Sequence, residues 1–356
     1  MANNTVLVPW QTLKQFTKDL FLQVGLSPED AEIEADVLLW ANRRGVDSHG
    51  VRMVPLYMQS VREGYFNVDA RPETVHETPA VLVIDGDHGF GPPLTARSME
   101  RVMEKARQVG FAWAFLRNIT HQGAIGYYAL MAAKQDMAGL AWVCGRPNMT
   151  PYGARVRAVH NSPIAIAVPG KKHPPIILDM ATSVAAYGKL RVAMDKGESV
   201  PATWAVDEAG KPTTDPHQAV VLQPFGGYKG SGLAYMFESL SSLVVGVPML
   251  IPYLVDDAKK PSPGTQNGVL AAIDIGAIAD IERYKKDVDR LAGAITQLPQ
   301  ADGIDEIFVP GEPEDKVRQV RERDGVPLPG PVVQSLQEVA ADLGVPLPAV
   351  MAGSAG

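Results

Sequence analysis

From about residue 76 onward, apolar runs of strand length alternate with longer amphipathic stretches, and that alternation constrains the fold class more than any other feature. "AVLVIDGD" reads as a strand running into a turn, "LTARSMERVMEKARQVG" as a helix stopped by glycine, and "FAWAFLRN" as the next strand. "GAIGYYALMAAKQDMAG" reads as a helix over its whole length and "LAWVCG" as a strand. "PIAIAVPG" and "PIILDMA" are short continuous apolar runs of the kind buried on both faces of a sheet. "GSGLAYMFESLSSLVVG" predicts an apolar helix, and "GVLAAIDI" and "EIFVPG" predict further strands. The pattern is that of an α/β domain.

The two ends of the chain have a different texture. The first 65 residues read as helices. In "SPEDAEIEADVLLWANRRG", Ser27 is a cap, Pro28 takes the first helical position, and Glu29 and Asp30 favour the positive end of the helix dipole. Ile33, Val37 and Trp40 recur at helical spacing, Arg43 and Arg44 fall in the last turn, and Gly45 supplies the stop. From residue 313 the chain turns helical again in "EDKVRQVRERDG" and "PVVQSLQEVAADLG". The expected organisation is an N-terminal helical segment (1–75), an α/β domain binding cofactor and substrate (76–312), and a C-terminal helical segment (313–356) packing with the first.

Composition excludes several classes. The 356 residues carry a net charge of −7 and no basic tract, so nucleic acid is not an expected partner. The one cysteine, Cys144, cannot form an internal disulfide and sits in an apolar run, which reads as a buried, inert thiol in a reducing compartment. The N-terminus lacks a signal-peptide pattern and no run reaches about 18 apolar residues, so neither secretion nor a membrane span is expected. These readings point to the cytoplasm.

The familiar cofactor and metal motifs are absent. "DGDHGFGPP" has glycines at 86, 89 and 91, the wrong spacing for a Rossmann fingerprint, and two prolines follow. "GGYKGSG" fails as a phosphate loop because Gly230, not Ser or Thr, follows Lys229; small residues beside an ammonium at a helix start suit a phosphate or a tight turn. The histidines at 49, 76, 88, 121, 160, 173 and 217 form no metal-ligand spacing, so no metal is expected.

The stretch "RRGVDSHGVR" sets Asp47, Ser48 and His49 between Gly45 and Gly50. A serine hydrolase would need the imidazole within hydrogen-bond reach of the serine, neighbouring side chains usually diverge, and no G-x-S-x-G elbow is present. His49 alone, with an ordinary pKa of about 6.5, suits proton transfer or a turn cap. His121, between a strand and a helix rich in small residues, reads the same way, because such turns are where α/β proteins bind ligands. Asp179 in "DMATS" suits a ribose hydroxyl or a backbone turn.

Together these stretches resemble one family. "RGVDSHGV", "HQGAIGYYA", "SPIAIAVP", "ILDMATSVAAYGK", "TTDP", "GGYKGSGLA" and "VPGEPED" run in order from residue 44 to about 315. They resemble the malate/L-lactate dehydrogenase family of the second type, also known as the malate/L-sulfolactate/ureidoglycolate dehydrogenase family. The resemblance implies an oxidoreductase using NAD or NADP on a fold that is not Rossmann, homodimeric, acting on 2-hydroxy and 2-oxo acids or on cyclic imino acids. A non-catalytic, cofactor-binding member is the competing reading. By motif, the resemblance implies His49 as proton donor and acceptor, Ser48 in proton relay, and Lys189 as relay partner. It places His121, Gln122, Gly123, Ala124, Ile125, Asp179, Met180, Ala181, Lys229, Gly230, Pro310, Gly311 and Glu312 on the cofactor. It places Asn161, Tyr187 and Gly188 on the substrate, with Arg52 and Met53 flanking the carboxylate position.

Three departures bear on substrate. The family commonly reads S-H-G-V-x-R; here Met53 stands at the arginine and Arg52 one place earlier, a turn of roughly 100° on a helix. The usual G-T-N-P reads "HNSP", placing His160 and Asn161 there, and the usual A-R-G-K reads "AYGK", placing Tyr187 at the arginine. Fewer cations favour a monocarboxylate, or an aromatic or cyclic acid, over a dicarboxylate such as malate. Lys189 favours ketone over imine reduction.

Overall fold

The helical ends form because each amphipathic stretch finds an apolar partner in the other. The computed structural model describes residues 5–255 and 260–352. A short strand β1 (Val6–Val8) leads into α1 (Trp10–Gln23), α2 (Pro28–Arg43) and α3 (Val54–Arg62). The C-terminal part contributes α10 (Glu312–Asp324), β12 (Val326–Leu328) and α11 (Gly330–Leu343). β1 and β12 pair antiparallel, Val6 opposite Leu328 and Val8 opposite Val326. Leu13, Phe16 and Leu20 of α1, Leu38 and Leu39 of α2, Tyr57 and Met58 of α3, and Val333 and Leu336 of α11 share one buried cluster. The cap read from sequence is made: the Ser27 hydroxyl accepts from the Asp30 amide at 3.1 Å.

The central sheet is built from β2 (Glu73–Glu77), β3 (Val81–Asp85), β4 (Phe111–Ile119), β5 (Met137–Cys144), β6 (Ile164–Val168), β7 (Ile176–Met180) and β11 (Gln266–Asp274). Its order is β2-β3-β4-β11-β5-β6-β7, and β7 is an edge. Only β3 and β4 run parallel, joined by the crossover helix α4 (Gly91–Val109); every other neighbouring pair is antiparallel. α4 and α5 (Gly126–Ala133) cover one face, and Val37, Trp40 and Ala41 of α2 join that core. The other face packs Trp142, Cys144 and Val269 against Phe237 of α7 (Tyr228–Leu240). A satellite cluster lies between β7 and α7. It holds α6 (Tyr187–Lys196) and three two-residue strands, β8 (Ala205–Val206), β9 (Pro212–Thr213) and β10 (Val221–Leu222). α8 (Ile251–Leu254) and α9 (Ile281–Thr296) complete the elements used here.

Four sequence expectations are corrected. α5 ends at Ala133, because Asp136 takes a left-handed conformation (φ 60°) and the chain reverses into β5. α7 stops at Leu240 rather than at the next glycine. "EIFVPG" is irregular: the Val309 amide donates to the Glu312 carboxylate at 2.8 Å instead of to a strand. β6 and β7 are not buried on both faces; Ala165 and Ala167 are buried while Ile164, Ile166 and Val168 stay half-buried, because α7 covers that face only near Phe237.

α5 lies so close to the sheet that a Cβ on Gly139 of β5 would fall 2.3 Å from the Ala129 carbonyl oxygen. Gly139→Ala is therefore expected to destabilise the fold by about 1–3 kcal/mol through overpacking. Urea unfolding with an unchanged m-value would measure it, and an unaltered midpoint would contradict this packing.

Candidate active site

The Ser48–His49 turn is fixed from beneath by one amide. α2 gives way to a 3-10 turn, Asp47–His49, and a second, Val51–Met53, which enters α3. Asn42, in the last turn of α2, donates from Nδ2 to Asp47 Oδ1 at 2.7 Å and accepts from the Val51 amide at 2.8 Å, so its side chain spans the turn. A Cβ on Gly50 would fall 2.2 Å from the Asn42 oxygen, which is why glycine stands there. Arg321 of α10 grips the same Asp47 through Nη1 at 2.6 Å and Nη2 at 2.9 Å. The acid of the motif is thus an anchor.

Within the turn, Ser48 Oγ lies 2.9 Å from His49 Nδ1. This departs from the expectation that neighbouring side chains diverge: the short Ser48 side chain folds back onto the ring. No catalytic triad results, because Asp47 is engaged by Arg321 and Asn42 instead of by the imidazole.

His49 stacks on His121, with ring centres 5.4 Å apart and planes inclined by 23°. The Gly123 amide donates to His121 Nδ1 at 3.2 Å, and the Tyr57 hydroxyl lies 2.6 Å from the same nitrogen. A backbone N–H can only donate, so Nδ1 is an acceptor, Tyr57 donates to it, and the proton of neutral His121 sits on Nε2. Burial keeps the Tyr57 hydroxyl protonated. Burial also lowers the pKa of His49, and lowers that of His121 to about 3 with the like charges of His49 and His160 adding to the effect. His160, buried at 8% exposure, is lowered to about 4, mainly by burial, with Arg146 contributing. The His121 backbone is wedged against the start of α4, where a Cβ on Gly91 would lie 2.4 Å from its carbonyl oxygen.

The edge strand β7 gathers the expected cofactor stretches. The Ile177 amide donates to the Pro310 carbonyl at 3.1 Å. Asp179 Oδ2 accepts from the Gly126 amide, at the start of α5, at 2.9 Å. The Thr182 carbonyl accepts from the Phe225 amide at 2.9 Å, and Phe225 in turn accepts from Gly230 at 2.9 Å in the first turn of α7. Three separate segments therefore meet the six residues from Ile177 to Thr182, about 16 Å from first to last at roughly 3.3 Å per residue. Met180 and Ala181 lie half-buried among them. Asp179 is reached by solvent yet ringed by protein, and that desolvation pushes its carboxyl up to about 6. Lys229 is exposed, with no polar partner among the described residues. Gln122, Ala124 and Ile125 are buried beneath the segment that runs from His121 to Gly126, and Gly123 turns it with φ 68°. Gly311 accepts from Arg44 at 3.1 Å, and Glu312 holds its own loop through Val309 and His173 rather than presenting a free carboxylate.

The expected substrate residues are less uniform. Gly188, at the start of α6, lies against Ser48: its Cβ would be 3.3 Å from that of Ser48. Asn161 is paired with Asn148 through its amide and side chain at 2.7 and 3.0 Å. The Tyr187 hydroxyl donates to the Val220 carbonyl at 2.7 Å, turned into the satellite cluster. The Lys189 ammonium lies over the Trp204 ring at 5.9 Å. Met53 packs on the helical core, and Arg52 is exposed without a partner among the described residues.

Sequence reasoning missed Tyr57 and Arg321. Each acts across the fold: Tyr57 stands 64 positions from His121 and Arg321 274 from Asp47, so no local pattern links them. Among the described residues, no group of three or more His, Cys, Asp or Glu is clustered to hold a metal ion. No helix among them is long and apolar enough to cross a membrane.

A family model described as malate/L-lactate dehydrogenase matches residues 8–337. L-sulfolactate dehydrogenase of Methanocaldococcus jannaschii is 36% identical over 314 residues, covering 88% of this chain and 90% of that one. Malate dehydrogenase of Pyrococcus horikoshii is 33% identical over 335 residues, 91% and 92% of the two chains. The solved structure of the M. jannaschii sulfolactate dehydrogenase superposes with a TM-score of 0.87 at 35% identity, over 96% of this chain and 98% of that one.

The buried histidines make stability depend on acid. The unfolded chain protonates an imidazole near pH 6.5, whereas folded His121 does so only at about 3. Its contribution is therefore complete above pH 6.5 and is lost on acidification towards pH 3. Asp179, raised to about 6, acts in the opposite sense, stabilising below its unfolded value near 3.8 and losing this as pH rises through 6. Urea midpoints measured from pH 7 to pH 4 are expected to fall less steeply in His121→Asn than in the parent. Parallel curves would show that His121 is not held neutral by burial.

Proposed function

The chain belongs to the malate/L-lactate dehydrogenase family and is an oxidoreductase; on that premise we propose that it moves hydride between a nicotinamide dinucleotide, NAD or NADP, and a 2-hydroxy acid, with His49 as proton donor and acceptor. The observation that carries this reading is the stacked His49–His121 pair, joined by the segment His121–Gly126 to the β7 edge where three loops converge.

The residues fit such a cofactor. Lys229, free at the start of a 13-residue helix beside the positive-φ Gly226 and Gly227, suits a phosphate. Asp179, accessible to solvent, suits a ribose hydroxyl. Pro310–Glu312, held on Ile177 and Arg44, forms a rigid wall. A ureidoglycolate dehydrogenase (NAD(+)) of Escherichia coli, 29% identical over 91% of this chain, supports a nicotinamide cofactor. Bound nicotinamide supplies or accepts the hydride.

The chain's own side chains do the rest. The carbonyl oxygen of a 2-oxo acid gathers negative charge as its carbon is reduced, and a proton delivered from His49 neutralises it. Ser48, bonded to His49 Nδ1, orients the ring and leaves Nε2 towards the reacting oxygen. Burial keeps His49 neutral at rest, and the carboxylate of an incoming substrate favours its charged form. Two stacked imidazoles do not both carry charge readily, so the pair holds one transferable charge. His121, neutral with its proton on Nε2, could pass that proton on only if Nδ1 took one from the Tyr57 hydroxyl bonded to it, so His49 is the group that carries the charge.

The missing arginine at Met53 is met by Arg146, exposed and without a polar partner among the described residues, with its charge felt at His160. One such cation suits a monocarboxylate, aromatic or cyclic acid. Reduction of a cyclic imino acid is the alternative chemistry, and Lys189 favours the ketone. The apolar side chains Leu233, Tyr235, Met236 and Leu240 that α7 leaves exposed support a homodimer paired on this helix.

Oxidation of NADH and NADPH would be followed with a panel of 2-oxo acids and cyclic imines. His49→Ala is expected to lower kcat by about 10²- to 10⁴-fold with cofactor binding intact. Turnover retained in His49→Ala and lost in His121→Ala would pass the proton role to His121. In the same assay Arg146→Ala is expected to raise the KM of the acid roughly tenfold or more; an unchanged KM would assign the carboxylate to Arg52.

A further inference from the structure

α10 touches both the expected cofactor loop and the Ser48–His49 turn. Its first turn is bound to Arg44: Nη1 donates to Asp315 at 2.5 Å and Nη2 to the Gly311 carbonyl at 3.1 Å. In its last turn Arg321 donates to both oxygens of Asp47 and to the Asn42 carbonyl at 2.5 Å. In the same last turn Arg43 of α2 pairs with Glu322 at 3.1 Å. Gly311 and Arg321 are ten residues apart, about 15 Å along a helix at 1.5 Å per residue. The two guanidiniums are shielded, with the Arg44 side chain 5% exposed and that of Arg321 15%, while the Asp47 side chain is 44% exposed.

We propose that α10 is a strut that couples occupancy of the cofactor loop to the pose of His49, and that Arg321 is the positioning residue at its far end. The proposal rests on the reading of Pro310–Glu312 as cofactor wall and His49 as proton carrier. Arg321 touches neither substrate nor cofactor; it acts through Asp47. A bidentate guanidinium–carboxylate pair fixes the carboxylate's plane as well as its distance. Asp47 and Asn42 then transmit that plane to the turn, whose far end Asn42 also holds through Val51. A displacement of the loop at Gly311 moves the N-terminus of a rigid helix, and the helix moves Asp47. Coupling of this kind is reciprocal, so loosening the turn also weakens the cofactor.

The test uses the full chain and three variants. Arg321→Met removes the clamp; Arg321→Lys keeps the charge and one bond. Arg323→Met is the control on the same helix, because Arg323 is exposed and bonds only Asp324 among the described residues. Arg321→Met is expected to lower kcat by more than tenfold with the substrate KM nearly unchanged, and to weaken NADH binding several-fold by fluorescence titration. Arg321→Lys should recover part of both, and Arg323→Met should change neither. NMR of ¹⁵N-histidine-labelled protein reads the turn directly: the His49 signal, assigned with His49→Ala, should move in Arg321→Met and stay in Arg323→Met. A moved His49 signal with intact turnover in His49→Ala would reject the catalytic reading while leaving the strut. An unmoved signal, with kcat and NADH affinity within twofold of the parent, would overturn the strut; Arg321→Lys, judged by the same readouts, decides the matter if Arg321→Met does not fold.

Discussion

Everything in the site is hung from a helix that belongs to two hydrophobic cores at once. α2 sends Val37, Trp40 and Ala41 into the sheet-side core and Ala31, Leu38 and Leu39 into the helical one. A helix held on both sides has little freedom to slide or rotate, since any shift opens cavities in both cores. Its last turn is therefore a fixed platform, and Asn42, Arg43 and Arg44 project from it to the turn, to α10 and to the Gly311 loop. Gly45 ends the helix at the point where the chain must bend into Asp47–His49.

The electrostatic consequence is a site built from neutral groups. Two imidazoles stacked in a desolvated cleft, with Tyr57 donating from below, present proton-bearing nitrogens without a standing positive charge. The cations that remain, Arg146, Arg52 and Lys229, lie where solvent reaches them. An anionic ligand would thus meet its charge partners first and transfer its proton in the drier region beyond.

Much of this was legible in the chain. The strand–helix alternation, the Ser27 cap and the glycine stops at Gly45 and Gly110 follow from local rules, and each is made as read. Most of the stretches that resemble the family converge on the sheet edge at β6 and β7 or on the histidine pair, whereas "TTDP" runs from β9 in the satellite cluster. Other details were not legible. A continuous apolar run such as "GAIGYYALMAAKQDMAG" has no internal mark for the left-handed Asp136, and "EIFVPG" has the composition of a strand but no partner for its amides other than Glu312. Asp47 stands beside Ser48 and His49 in the sequence, and nothing near it in the chain marks Arg321 as its partner.

The sequence by itself determined the local conformations, the α/β class and the residues able to carry protons, because these depend on side-chain pattern and intrinsic chemistry within a few positions. Tertiary structure alone decided the roles. Tyr57 meets His121, and Arg321 takes Asp47 away from His49, only because two cores bring distant helices together around α2. Hydrogen bonds of that range are set by how apolar surfaces pack, and no spacing along the chain encodes them.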